Sequence, residues 1–259
     1  MNKAELKNLL TTNPTDPLWA GLVGAWFFDE GSGDIFNDIS GLEQTGSFYC
    51  VQTTSLGWTS SGYWIQQDGG YQTEIWAPIY PYATTSGLTL FNIVKFDPTK
   101  FTAIGSHAQS DVLGFLICHY YESGVVSVRF MCDYNHSGYE IQNSGDFIRL
   151  FAVTTKNGPG RVTSVYQNKT LLGQLTSNVG TALPASKYLL EKAQALPGGM
   201  SSIEESLILI WNRQLSIDEI IRIEDPPPPQ EIPYDPIPTI VRQIAERNNK
   251  ILGGKQTVY

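Results

Sequence analysis

The stretch GLVGAWFFDEGSGDIFNDISG, residues 21–41, is apolar from Leu22 to Phe28 and then breaks at once into acids and glycines. Alternate side chains of a strand share a face, so Gly24, Trp26 and Phe28 should point one way and Val23, Ala25 and Phe27 the other. Trp26 and Phe28 are therefore the expected filling between two sheets. Asp29-Glu30-Gly31-Ser32-Gly33 reads as a turn, its glycines free to take positive φ. Asp38-Ile39-Ser40-Gly41 reads as a second turn, in which Asp and Ser bond nearby backbone.

Working outward, strand-length runs follow one another to about Val179. They include YWIQQ, TEIWAPIY, LTLFNIVKF, VLGFLICHYY, VVSVRFMC, FIRLFAVTT and RVTSVYQN. β-branched and aromatic residues dominate them, and Gly, Asn, Asp and Ser separate them. No long amphipathic helix interrupts the series, so the expectation is an all-β sandwich. KAELKNLL, residues 3–10, could form two helical turns that NPTDP ends. At the far end, residues 206–211 form another strand. Ser216-Ile217-Asp218-Glu219 then fits a capping box that opens a helix, which Asp225 and four prolines stop.

The charge balance excludes several classes of partner. Seventeen Lys and Arg face 25 Asp and Glu, a net −8. Residues 1–20 carry two of each sign and residues 225–259 four of each, so the deficit lies on residues 21–224. An acidic body repels nucleic-acid phosphates and anionic lipid, and neither nucleic acid nor membrane is an expected partner. No run of about eighteen apolar residues occurs. The N-terminal stretch has no apolar signal-peptide core, and three cysteines (Cys50, Cys118, Cys132) make no disulfide framework. Synthesis in a cytosol is the expectation.

Two ends of the chain carry a family likeness. Residues 21–41 and ESLILIWNRQLSIDEI resemble the first and last strands of laminin-G-like domains, in the concanavalin A-like lectin and glucanase superfamily. GYWIQQDGGYQTEI, LTLFNIVKF and the paired strands around Asn168-Lys169 resemble its middle segments in order. The resemblance covers residues 20–224 and implies a two-sheet antiparallel jelly roll. The division it suggests is an N-terminal arm (1–20), the sandwich (21–224) and a proline-rich linker with an anchoring helix (225–259). A narrower resemblance is to laminin-G-like proteins of tailed-phage virions, which implies capsid or other virion proteins and the chain's own subunits as partners.

The chemistry of the sequence points away from catalysis. Glucanase relatives set two acids on one strand about two to five residues apart, flanking the scissile bond. No such pattern occurs here, and Glu204-Glu205 are adjacent, facing opposite sides of a strand. His107, His119 and His136 follow no metal-ligand spacing, and no cofactor motif is present. Some laminin-G-like domains hold calcium on one rim, but Asp68, Asp111 and Asp133 lack the acid density of a dedicated calcium loop.

Aromatics are the remaining signal. Trp58, Tyr63, Trp64, Trp76, Tyr80 and Tyr82 fall in loops and strand ends, where rings can stack on the apolar faces of cell-surface glycans. Core packing is the competing account for each. Residues 225–238 hold seven prolines and should extend as polyproline II, about 3.1 Å per residue. The segment beyond marks one helical face with Ile237, Ile240, Val241, Ile244, Ile251 and Leu252, a candidate assembly surface. Leu209 and Trp211 join that list, because both faces of LILIW are apolar; cover by the capped helix or the N-terminal arm is the alternative. The leading expectation is a non-enzymatic structural virion protein, such as a head decoration or fibre, whose rim binds glycans. A free lectin-like module is the second reading and a degenerate glycosidase the third.

Overall fold

The computed structural model describes residues 2–50, 55–68, 72–77, 87–96, 115–122, 125–132, 135–140, 146–157, 160–177, 188–194 and 200–224. Among these, strands are β1 (Leu22–Trp26), β2 (Ile35–Phe36), β3 (Gly46–Cys50), β4 (Ser55–Trp58), β5 (Tyr63–Asp68), β6 (Gln72–Ala77), β7 (Gly87–Phe96) and β8 (Phe115–Glu122). They continue as β9 (Val125–Cys132), β10 (Asn135–Glu140), β11 (Ile148–Asn157), β12 (Gly160–Gln167), β13 (Thr170–Ser177), β14 (Tyr188–Gln194) and β15 (Met200–Trp211). Two helices, α1 (Lys3–Thr12) and α2 (Ile217–Glu224), and a 3-10 turn at Pro17–Trp19 flank them.

The fold is an all-β antiparallel sandwich. Its main sheet has eight strands in the order β13-β12-β11-β7-β15-β5-β4, with β1 on β15 beside β5. β15 therefore pairs with β7 along one edge, and with β5 and then β1 along the other. The remaining strands form a four-stranded sheet, β14-β6-β3-β2, and a three-stranded one, β10-β9-β8.

The opening stretch folds much as its alternation requires. Trp26 and Phe28 are fully buried, and the Trp26 indole bends back over Gly24, where an added Cβ would lie 2.2 Å from the ring. Phe28 packs on Tyr63 at 4.7 Å, edge to face, and on Phe36 of the four-stranded sheet at 5.2 Å. One detail differs from a strand running to Phe28. The strand ends at Trp26, and Phe28 takes φ +44°, a left-handed value that non-glycine residues adopt only at a steric cost. The sharp bend carries the chain into the Asp-Glu-Gly-Ser-Gly turn while its ring stays in the interlayer core. Asp38 then clips the second turn to β1. Its carboxylate accepts from the amides of Ala25 (2.7 Å), Ser40 (2.9 Å) and Gln44 (3.1 Å) and from the Ser40 hydroxyl (2.6 Å).

The opposite face of the main sheet is equally apolar, and the chain covers it with its own ends. Leu6 and Leu10 of α1, Leu18, and Ile220 and Ile223 of α2 pack with Phe27, Phe91, Phe151, Leu207, Leu209 and Trp211 in one buried cluster. Leu209 and Trp211 are 0% exposed, so these two expected assembly residues are internal core. Residues 1–20 belong to the compact unit Met1–Asp225, and Pro226–Tyr259 form another. Residues 225–259, with Ile237, Ile240, Val241, Ile244, Ile251 and Leu252, lie outside the described residues.

What fastens the ends is written in the Trp-Asn-Arg-Gln-Leu-Ser stretch. The Trp211 indole donates to the Leu18 carbonyl at 2.7 Å, and the Asn212 amide to the Gly21 carbonyl at 2.7 Å. The Arg213 guanidinium donates to the Ala20 carbonyl, to the Pro17 carbonyl (3.0 Å) and to both oxygens of Glu219 (2.6 and 2.9 Å). Glu219 also closes the capping box: it accepts from the Ser216 amide at 2.8 Å while its own amide donates to the Ser216 hydroxyl at 3.2 Å. Arg222 pairs with Asp16, the residue that caps the 3-10 turn.

Burial works to raise the Glu219 carboxyl, but the hydrogen bonds from Arg213 and Ser216 outweigh it and hold the group below its ordinary 4.5. A depressed carboxylate contributes stability that is present above the unfolded value and lost as pH falls through the folded one. Replacing Glu219→Gln should thus lower stability at neutral pH and flatten the acid limb below about pH 4.5, read by urea unfolding across a pH series. Arg213→Leu should cost about 2 kcal/mol in the same assay.

A buried amide on β7 works against the fold. Asn92 sits on β7 opposite Leu150 and Ile208, fully buried, with neither its oxygen nor its nitrogen hydrogen-bonded. A buried amide left in that state costs about 1–3 kcal/mol. Asn92→Leu should raise the unfolding free energy by about 1–2 kcal/mol in guanidinium melts; a loss would show that the amide is needed where it stands.

Candidate functional site

Of the aromatic set read from the sequence, the structure describes the side chains of Trp58 and Tyr63. Tyr63 is fully buried beneath Phe28. Trp58 is half-buried, edge-on to Tyr63 at 6.4 Å, and its indole donates to the Gly33 carbonyl at 2.9 Å. The Trp58 bond holds the Asp-Glu-Gly-Ser-Gly turn against β4. Trp64 lies in β5, paired with Glu204 and Gly57, whereas Trp76 lies in β6, paired with Ser47 and Leu189 in a different sheet. Tyr80 and Tyr82 lie outside the described residues.

The concavity that the described residues do form is a groove of about 1130 Å³ beside α1. Its construction starts from the amphipathic spacing of the helix. Leu6 and Leu10 enter the core, so Lys3, Lys7, Asn8 and Thr11 on the other side become one wall. Asn2 caps that helix. Its side chain accepts from the Glu5 amide at 2.8 Å while Glu5 reaches back to the Asn2 amide at 2.7 Å. Ser60 and Ser61, from the loop joining β4 to β5, border the helix N-terminus. The floor is the sheet itself, with Ile93 of β7 and Phe147 and Arg149 at the start of β11. Asn168-Lys169, the turn between β12 and β13, and Glu224 at the end of α2 complete the lining.

The electrostatics differ from those of the chain as a whole. Four cations, Lys3, Lys7, Arg149 and Lys169, line the groove against two carboxylates, Asp29 and Glu224. Lys7 pairs with Asp29 at 2.5 Å and Arg149 with Glu224 at 2.9 Å. Lys3 is different: its ammonium donates to the Ser61 carbonyl at 2.7 Å and more weakly to the Phe28 carbonyl at 3.4 Å. Burial lowers its pKa from 10.5, opposed by the attraction of Asp29. Just beyond the lining, the Lys95 ammonium sits 5.9 Å from the Phe147 ring centroid and 3.6 Å from Glu204, which also accepts from the Thr59 hydroxyl at 2.6 Å.

The Asn168-Lys169 turn is built against steric preference. Both residues take positive φ, +45° and +63°, as a two-residue hairpin turn requires, and glycine is the usual second residue there. Asn168 also stitches the turn to β11, its amide donating to the Arg149 carbonyl at 3.0 Å and its side-chain oxygen accepting from the Arg149 amide at 3.2 Å. Arg149 and Lys169 are thereby set at one rim. Among the described residues, no three His, Cys, Asp or Glu side chains gather as metal ligands, and no helix is long and apolar enough to cross a membrane.

No protein-family model matches this sequence, and no curated protein resembles it significantly. Solved structures do share its fold. The binding domain of botulinum neurotoxin serotype D/C is similar at TM-score 0.58 and 10% identity, over 79% of this chain and 51% of that one. The serotype C1 binding domain gives TM-score 0.60 and 8% identity over 79% and 52%. A type C toxin structure, described as entering cells in dependence on two ganglioside molecules, gives 0.57 and 11% over 79% and 50%. The chain spans about half the length of these domains, and at such identities the likeness is one of fold.

Proposed function

We propose that this protein is a non-enzymatic, lectin-like binding module, and that it serves as a structural component of a tailed-phage virion. The observation that carries the binding reading is the groove: an open, polar-walled concavity on a sheet face that the chain otherwise seals for itself. Side-chain amides and hydroxyls around a partly apolar floor suit a sugar, whose ring faces are apolar and whose hydroxyls need partners. The shared fold supports this reading, since one toxin with a similar domain depends on gangliosides for entering cells. The two groove carboxylates are each tied to a cation, which suits them to hold shape rather than to flank a scissile bond.

The virion setting rests on the likeness of the closing strand, WNRQLS, the short helix and the proline-bearing tail to laminin-G-like proteins of tailed-phage particles. Because Leu209 and Trp211 lie in the core, any assembly role passes to the proline-rich segment and apolar helical face of residues 225–259.

A glycan array probed with the full chain tests the binding half: a defined subset of sugars should bind, and a blank array would sink it. Deleting residues 225–259 tests the setting. The shortened chain should keep its thermal midpoint yet fail to join particles or higher oligomers. Unimpaired incorporation would remove the assembly reading and leave a free lectin.

A further inference from the structure

We propose that the groove takes an uncharged oligosaccharide, laid along α1 and recognised through Asn8, Ser60 and Asp29. This inference rests on the binding-module reading and narrows it to a ligand class.

The charged groups of the lining are committed to one another. Lys7 meets Asp29 at 2.5 Å, and Arg149 meets Glu224 at 2.9 Å. Lys3 donates to the Ser61 and Phe28 carbonyls and lies within the attraction of Asp29, Glu30 and Glu204. Lys169 is likewise engaged. An anionic ligand would have to draw a cation away from these partners and leave a carboxylate beside its own charge. Breaking a partly desolvated pair in that way is costly. A neutral ligand leaves every pair intact.

The capacity left open is that of ordinary hydrogen bonds. Lys7 uses only Oδ2 of Asp29, so Oδ1 remains an acceptor. Asn8 gives its backbone carbonyl to Thr11 and Thr12, while its exposed side-chain amide has no bond among the described residues. The hydroxyl of Ser60, exposed across the groove, is in the same state. A sugar hydroxyl both donates and accepts, so it can answer each of these groups.

Shape favours a chain of sugars. From Lys3 to Thr11 the wall of α1 rises about 12 Å. The groove volume of about 1130 Å³ lies above the range that encloses a drug-sized ligand, roughly 300–1,000 Å³. Ile93 and the half-buried Phe147 give its floor an apolar strip for ring faces. A peptide is the poorer match. Capture of a peptide as an added strand needs an open sheet edge, whereas this floor is a sheet face.

The test titrates the full chain by calorimetry at low and at physiological salt. The probes are chitotriose and maltotriose beside their single sugars, and sialyllactose beside lactose. At least one neutral trisaccharide should bind several-fold more tightly than its single sugar and change less than about twofold with salt. Sialyllactose should bind no more tightly than lactose. The double variant Asn8→Ala with Ser60→Ala, both at exposed positions, should keep its thermal midpoint while weakening the trisaccharide several-fold.

Tighter binding of sialyllactose, or neutral binding that weakens as salt rises, would overturn the inference and leave the binding-module reading standing. So would trisaccharide binding that the double variant leaves unchanged. Failure of every probe would overturn it too; with a blank glycan array, the binding-module reading falls as well.

Discussion

One guanidinium joins both chain ends on the outer side of the main sheet. Arg213 reaches the carbonyls of Pro17 and Ala20 on one side and the carboxylate of Glu219 on the other, binding the first twenty residues and the last helix to the end of β15. The need for such a clamp follows from the sheet. Residues 206–211 of β15 are buried throughout, so both faces of the central strands require cover. The interlayer core covers one. Leu6, Leu10, Leu18, Leu215, Ile220 and Ile223 help cover the other, and short helices are marginal without tertiary contacts. Their hold comes from packing, but their position comes from polar bonds with fixed partners. Hence an Asn-Arg pair follows the last strand, and Ser216 and Glu219 open the helix behind it.

Much of this fold was legible from residues alone. Alternation across Leu22–Phe28 placed Trp26 and Phe28 in the core, the Asp38 turn bonds as its residue types suggest, and the Ser216–Glu219 box is formed. Where the reading stopped short, the reason is physical. Phe28 leaves the strand through a left-handed bend, a conformation that sequence preference assigns to glycine and not to phenylalanine. The apolar run Leu207–Trp211 announced a strand buried on both sides, but two covers were available to it, a neighbouring subunit or the chain's own ends. The spacing of Leu6 and Leu10 was the deciding signal. In a ten-residue helix with a shallow apolar face that signal is weak until the opposing sheet is seen.

The candidate site was much less legible. Among the aromatic residues near turns, Trp58 and Tyr63 pack edge to face and Trp58 makes a hydrogen bond that supports a turn. The groove gathers residues such as Lys3, Asp29, Ser61, Ile93, Arg149 and Lys169 from separate parts of the chain, so no local motif could announce it. A trace was present all the same. Lysine occupies the second position of a two-residue turn where glycine is the usual residue, and that departure falls on the groove rim.

Site and clamp are not separable, because α1 belongs to both. Positions 6 and 10 enter the core, while 3, 7, 8 and 11 face the groove, so the same rotation of one helix sets both surfaces. A helix held only by apolar contacts could slide or roll by a fraction of a turn at little cost, and the Lys3 ammonium would then leave the carbonyls of Phe28 and Ser61. Directional bonds remove that freedom. Asn2 and Glu5 cap the helix start, Lys7 meets Asp29, and Arg213 and Arg222 secure the chain just beyond its end. Of these bonds, the exposed one from Lys7 to Asp29 contributes little to stability on its own. Their combined effect is positional: they fix which face of α1 the sheet sees, and therefore where the cations of the groove stand.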